Sequence, residues 1–435
     1  MKKVSILAFA LCAASIFSQN FDKAKLDEYF DVIEKNDKAM GSVALSKDGQ
    51  LIYSRQFGFA DVNKKTKANA NTQYRIGSIS KTFTAVLVMK AVEENKLKLS
   101  HTIDLYFPGF PNGDKITVEM LLRHRSGIYN FTDDPQYKSR SAQPKNEAEM
   151  LAIIAGKPGV FAPGSQASYS NSNYVLLSYV LQRVQKQPYG ELLRRQINVP
   201  LGLTNTYFST GNTDRTRGYT YTDKWTVQPQ TDASITMGAG GIVSTPVDLV
   251  KFSNALFGGK LLKPESLAKM TSTKDGFGLG LISLPFYEHQ GYGHTGGIDG
   301  FASVFGHFAD GDISFAQTMN GFRLNTNDVS IALLSAAYGK DFQIPVFTNY
   351  KIDPAMLSQY VGVYQSTELP LDITVTQQGS ILQAQGSGQP AFPLSATAKD
   401  EFSYEPINVV MKFDPATETM VLLQNGGTFH YKKQK

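Results

Sequence analysis

The stretch YRIGSISKTFTAVLVMK, running from Tyr74 to Lys90, constrains this chain more than any other. From Phe83 to Met89 it is almost entirely apolar, so a helix made from it is buried on most sides and belongs at the centre of a fold. Yet Ser78 and Lys81 stand three residues apart at its start, sharing one face of a first turn. Lysine is ordinarily a solvated surface residue. The residues alone allow two readings. Ser78 caps the helix while Lys81 snorkels to water, or the pair is a nucleophile and its base. The second reading draws on the unpaired N–H groups of a helix start, where the dipole favours negative charge on an attacking oxygen. It also needs an apolar wall to lower the proton affinity of the lysine. Alone the pattern is weak, because Ser-x-x-Lys recurs at Ser266–Lys269.

With 435 residues, 42% hydrophobic and 19% charged, the chain has room for two or three domains and a large core. The formal charge of +5 is dispersed, and no Lys/Arg block has the footprint of a nucleic-acid site. The first residues, MKKVSILAFALCAASIFSQN, have a Lys2-Lys3 head, a short apolar stretch and then small residues. That is the layout of a secretory signal over residues 1–18, and it predicts an exported, soluble product, periplasmic or extracellular. Cys12, the single cysteine, lies inside that stretch, so no disulfide is available and stability must come from a core. A lipid anchor on Cys12 is disfavoured by the bulk of Leu11 before it. No other segment is apolar enough for an integral membrane helix.

Helical spacing runs around Phe21 to Ala39, and alternation around Asp48-Gly49 then predicts a two-residue hairpin. After the Ser78 helix, which ends near Asn95, the chain is turn-rich with helical pieces such as SNSNYVLLSYVLQRVQKQ. Thr245 as N-cap, Pro246 at the first helical position and Asp248 three after the cap start another helix. Strand-like segments return in GFGLGLISL, GYGHTGG, FASVFGHF and DISFAQTMN, followed by a helical NDVSIALLSAAYG. The expected fold is α/β in the α+β sense. One antiparallel sheet is closed by both ends of a domain over 21–345 and flanked by helices, with a mainly helical insertion. From about Met356 the composition becomes strands and turns, predicting a small antiparallel, barrel-like all-β domain over 352–435.

Two further motifs bear on Ser78. Tyr169-Ser170-Asn171 offers a phenol that relays protons if a nearby ammonium lowers its pKa, and an amide that can hold both a substrate carbonyl and the lysine. In isolation these are ordinary turn residues. His294-Thr295-Gly296, followed by Gly297, leaves a strand edge bare for a substrate backbone to pair with, or marks a bulge. The order Ser-x-x-Lys, Tyr-x-Asn, His-Thr-Gly resembles the serine β-lactamase and penicillin-binding-protein superfamily. Within it the likeness is to the branch of class C β-lactamases, D-alanyl-D-alanine carboxypeptidases, D-aminopeptidases and related esterases. MLLRHRSGI, PLGLTNTYF and GAGGIVSTPVDLVKFSNAL read the same way, and the likeness spans about Gly41 to Gly339.

The resemblance implies a serine hydrolase of the β-lactamase/transpeptidase fold. Ser78 would be the acylated nucleophile, with Lys81 and Tyr169 sharing the proton transfers. Asn171 would orient the substrate amide, His294, Thr295 and Gly296 would line the substrate strand, and the N–H groups of Ser78 and Gly297 would form the oxyanion hole. His294 departs from the Lys-Thr-Gly of class C β-lactamases and matches a variant in some DD-peptidases. Because imidazole is mostly neutral near pH 7, a substrate carboxylate would need another cation. His124 is expected to be structural. His101, His289, His307 and His430 have no metal-ligand spacing, so neither a metal nor another cofactor is expected. The expected substrates are peptide-like, β-lactam or ester molecules, with D-alanyl peptides leading. An esterase, a D-aminopeptidase, a β-lactamase or a penicillin-binding sensor with little turnover are the alternatives. The role of the β domain and the oligomeric state stay open.

Overall fold

The computed structural model describes residues 21–209, 216–348 and 350–434. The expected signal segment over 1–18, with Cys12, lies outside these residues. Helix α1 (Lys23–Lys35) starts at Asp22, whose carboxylate accepts from the Lys25 N–H. It stops short of Ala39 because Asn36 caps it and Asp37 turns the chain at φ 50°. Strands β1 (Ala39–Lys47) and β2 (Gln50–Phe57) follow. Between them Asp48 and Gly49 both adopt positive φ, 52° and 72°, as a two-residue hairpin of this hand requires.

The apolar run forms α2 (Ser80–Glu93), entered through a single 3₁₀ turn, Gly77–Ile79. Ser78 therefore sits in that turn and not on the α-helix proper, because Gly77 takes a left-handed φ of 49° and kinks the entry. The remaining helices that frame the site are α3 (Asn171–Gln185), α4 (Ala233–Gly240) and α5 (Pro246–Phe257). At the start of α5 the Thr245 hydroxyl accepts from the Asp248 N–H at 3.2 Å, with Pro246 in the first turn. Then come β3 (Ile282–Phe286), β4 (His289–Ile298), β5 (Phe301–Phe308), β6 (Ile313–Phe322) and α6 (Thr326–Tyr338).

The strands form a six-stranded antiparallel sheet in the order β3-β4-β5-β6-β1-β2. Its closure comes from pairing the domain's two ends, β1 with β6, from Ala39 opposite Phe322 to Lys47 opposite Ile313. The two-residue alternation of β1 assigns its side chains to opposite layers. Val43 and Leu45 pack with α1 and α6, through Phe30, Ile33 and Leu333. Ala44 packs on the other face with α2 and α5. There the rings of Phe83 and Phe252 stack at 3.8 Å between centroids, both fully buried. Burying each such ring stabilises the fold by about 2–3 kcal/mol. The helix with the lysine is thus central to the larger core.

The last part of the chain is a closed eight-stranded antiparallel barrel. Its strands are β7 (Gly362–Gln365), β8 (Ile373–Gln378), β9 (Ile381–Gly386), β10 (Phe392–Ala398), β11 (Glu401–Tyr404), β12 (Val409–Asp414), β13 (Thr419–Gln424) and β14 (Gly427–Lys433). Val409, Met411 and Phe413 point inward while Val410 and Lys412 alternate outward. Closure leaves no unpaired strand edge. A nearly buried Lys38 reaches Glu405 of the barrel at 2.7 Å and ties it to the start of β1.

Candidate active site

The end of β4 that runs past its pairing with β3, from His294 to Ile298, crosses directly over the turn that carries Ser78. At Gly296 an added Cβ would run into the carbonyl oxygen of Ile76 and the Ser303 hydroxyl, so only glycine permits the crossing. At Gly77 an added Cβ would lie 2.9 Å from the backbone nitrogen of Gly297. These two contacts bring Gly297 beside Ser78, and both residues line an open cleft of about 430 Å³. Gly296→Ala is expected to cost about 1–3 kcal/mol of stability, read as a fall in Tm, because backbone atoms on both sides must shift.

Lys81 is fully buried, and its Nζ has three oxygen neighbours: Ser78 Oγ at 2.9 Å, Asn171 Oδ1 at 2.8 Å and Ala239 O at 2.8 Å. Burial holds its pKa well below the usual lysine range. A neutral amine has two N–H groups and one lone pair. Asn171 Oδ1 and Ala239 O can only accept, so they take the two N–H groups and the lone pair faces the Ser78 hydroxyl. The Asn171 amide is oriented for this, because its Nδ2 donates to Thr132 Oγ1 at 3.0 Å and Asn130 Oδ1 at 3.3 Å. The Ala239 carbonyl is aimed by a kink in α4, where Met237 takes φ 40° and ψ −134°.

Tyr169 donates its hydroxyl to Ser78 Oγ at 2.8 Å, and its ring lies 4.9 Å from the Lys81 nitrogen. Its pKa is pushed up to about 12, not lowered: burial outweighs the hydrogen bond to Ser78, and the neighbouring lysine supplies no positive charge while neutral. The phenol is therefore a proton donor at neutral pH. His124, at φ 55°, stacks on Tyr169 at 4.4 Å, and its Nδ1 accepts from the Ser170 N–H at 3.1 Å. Burial keeps it neutral. It braces the Tyr169-Ser170-Asn171 backbone.

The structure thus brings Ser78, Lys81, Tyr169, Asn171 and Gly297 together. His294 is placed differently from a substrate contact. Strand alternation turns its ring inward, only 5% exposed, where Nδ1–H donates to Thr295 O at 2.6 Å. Burial lowers its pKa to about 4. Thr295 is exposed on the opposite face of the strand. Ser266 and Lys269 lie in the helix Pro264–Thr271, outside the cleft lining. The sequence reading missed the supports: Asn130, Thr132, Ala239, and the buried pair of Arg75 with Asp299. Asp299 also accepts from the N–H and hydroxyl of Thr231, both at 2.8 Å, which anchors the β4–β5 turn. No short spacing marks these residues, since each comes from a distant segment. Among the described residues no cluster of His, Cys, Asp and Glu could hold a metal ion. No helix among them is long and apolar enough to cross a membrane.

The beta-lactamase family model matches residues 30–340, which include every one of these groups. The chain belongs to the beta-lactamase family. It is a serine hydrolase of the penicillin-recognising superfamily, and three similar proteins bracket it. Penicillin-binding protein 4* of Bacillus subtilis (strain 168) is 23% identical over 439 residues, covering 92% of this chain and 96% of that one, so the likeness includes the barrel. The teichoic acid D-alanine hydrolase of Staphylococcus aureus (strain MRSA252) is 28% identical over 246 residues, covering 55% of this chain and 59% of that one. Among solved structures, the D-amino acid amidase from Ochrobactrum anthropi SV3 superposes with a TM-score of 0.64 at 25% identity, covering 72% of this chain and 98% of that one. The finer branch within the superfamily is not separated by these likenesses.

Proposed function

We propose that this beta-lactamase family member is an exported acyl-serine hydrolase that cleaves D-alanyl peptides bearing a free carboxylate. Ser78 attacks the scissile carbonyl while Lys81 takes its proton. The N–H groups of Ser78 and Gly297 hold the resulting oxyanion, and Tyr169 passes a proton to the leaving amine. Water then attacks the acyl-serine with the same groups in reverse. The observation that carries the chemistry is the Lys81 amine, whose two N–H groups are committed to Asn171 and Ala239 and whose lone pair faces Ser78. Export is supported by the signal-like first residues.

The charge of the cleft supports a carboxylate-bearing substrate. Among the described residues that line it, Lys138 and Asp299 are the charged ones. Asp299 is committed to Arg75 and Thr231, so no carboxylate is free to receive a substrate ammonium. Lys138, on the exposed one-turn helix Tyr137–Arg140, has no ion-pair partner among the described residues and can supply the cation that neutral His294 cannot. The names of the D-amino acid amidase and the teichoic acid D-alanine hydrolase support a D-amino acid at the scissile bond. They also favour a second reading, hydrolysis of D-amino acid amides or esters with a free amine.

An assay with an N-acyl-D-alanyl-D-alanine peptide, D-phenylalanine amide and an uncharged ester separates the two. The expected result is D-alanine release with the highest kcat/KM of the three. Lys138→Gln should lower that value by about 5–20-fold and leave ester turnover unaffected, as loss of one partly exposed charge contact does. Turnover of the amide with no D-alanine release would exclude the carboxypeptidase reading.

A further inference from the structure

A second cavity, of about 600 Å³, lies between the larger domain and the barrel. One wall is the strand Tyr219–Tyr221 with the turn after it, Thr222 and Asp223, and the other is made by Ile381, Leu394 and Ala396 of the barrel. The volume falls within the usual range of small-molecule sites. Gly300 lines this cavity and also the catalytic cleft, so the two spaces share the turn that follows Gly297. Gly300 is tightly seated, since an added Cβ would lie 2.8 Å from the Tyr219 nitrogen.

Arg323 lines the cavity with its guanidinium 3.8 Å over the Tyr221 ring. Among the described residues it has no carboxylate partner, and its side chain is only partly exposed. Of the two acids in the lining, Glu405 is already paired with Lys38. Lys351 adds a second cation, unpaired among the described residues, and the exposed Asp223 at the hairpin tip is the other acid. Stacking on Tyr221 fixes the plane of the guanidinium and leaves its N–H edges free, a geometry that matches a carboxylate with two parallel hydrogen bonds.

We infer that this inter-domain cavity is a second binding site, separate from the catalytic cleft, for a small molecule carrying a carboxylate on an apolar or ring-shaped body. Arg323 receives the carboxylate, and the barrel residues Ile381, Leu394 and Ala396 cover the body. Such a carboxylate can come from an acidic sugar or from an acylated amino acid.

The chain contains a reporter. Its single tryptophan, Trp225, lies 5.0 Å from Tyr221, the ring on which Arg323 stacks. The test uses the full chain with Ser78→Ala, so that nothing is turned over, and follows Trp225 emission during titration with N-acetylmuramate or N-benzoyl-D-alanine. The expected result is a saturable change with one acid, which identifies the source, and weakening of about 10–100-fold for its methyl ester. Arg323→Gln should weaken the acid by the same factor, with near-ultraviolet dichroism checking the fold. Arg323→Lys, which keeps the charge and loses the fork, should fall between and serves if the glutamine variant is misfolded. Linear, unsaturable titrations with both acids would overturn the inference, as would acid binding that survives both Arg323 substitutions. Either failure leaves the reading of the Ser78 cleft untouched, because the readout does not depend on acyl transfer.

Discussion

Ser78→Ala should lower kcat/KM on every substrate by about 10⁴–10⁶-fold, the scale seen when a nucleophile acting as one unit with its base is removed. Intact-protein mass spectrometry should show an added acyl mass on the parent chain after incubation with a penicillin, and none on the variant. The fold should tolerate the change, because Ser78 is only half-buried and among the described residues its hydroxyl serves Lys81 and Tyr169 alone. Full retention of peptide and ester hydrolysis by the alanine variant would end the acyl-serine reading.

Lys81→Met is expected to reduce kcat by about 10²–10⁴-fold, the range for loss of a positioned proton acceptor. Its effect on stability carries a distinct pH signature. In the folded chain the Lys81 pKa lies well below the usual lysine range, with burial as the cause. In the unfolded chain the lysine returns to an ordinary value, near 10.4. Between those two values the unfolded state binds the extra proton, so parent stability rises with pH. Above the unfolded value the effect is gone. The slope expected from this one group is about 1.4 kcal/mol per pH unit inside the window. Lys81→Met removes the titration, so chemical denaturation of parent and variant from pH 7 to 10 should show parent stability gaining on the variant. Parallel pH profiles would mean that Lys81 is not neutralised by burial. The same assignment sets the activity profile: kcat/KM rises with pH as Lys81 deprotonates. It should not fall again below pH 10, since Tyr169 keeps its proton up to about 12.

Much of the architecture was legible because local rules and tertiary structure agree. Asp48-Gly49 is a hairpin in sequence and in space, and Thr245-Pro246 starts α5 through the expected cap. The alternating C-terminal segments close into a barrel. Disagreements arise where backbone conformation intervenes. Gly77 at positive φ puts Ser78 into a 3₁₀ turn, and Asp37 ends α1 before its apolar spacing runs out.

The site divides along the same line. Ser78, Lys81, Tyr169 and Asn171 were readable because their partners within each motif are only two or three residues away. Their supports were not. Asn130 and Thr132 orient Asn171, the Met237 kink aims Ala239, and Arg75 with Asp299 pins the turn beyond Gly297. These contacts join segments 39–224 residues apart in the chain, so no local spacing can encode them.

By itself the sequence determined which side chains are candidates for chemistry and which segments become helix or strand, since both are written in nearest neighbours and short periods. Only the tertiary structure decided their protonation states. Burial lowers the proton affinity of Lys81 and His294 and raises that of Tyr169 because each is withdrawn from water, and that withdrawal depends on elements packed from every direction.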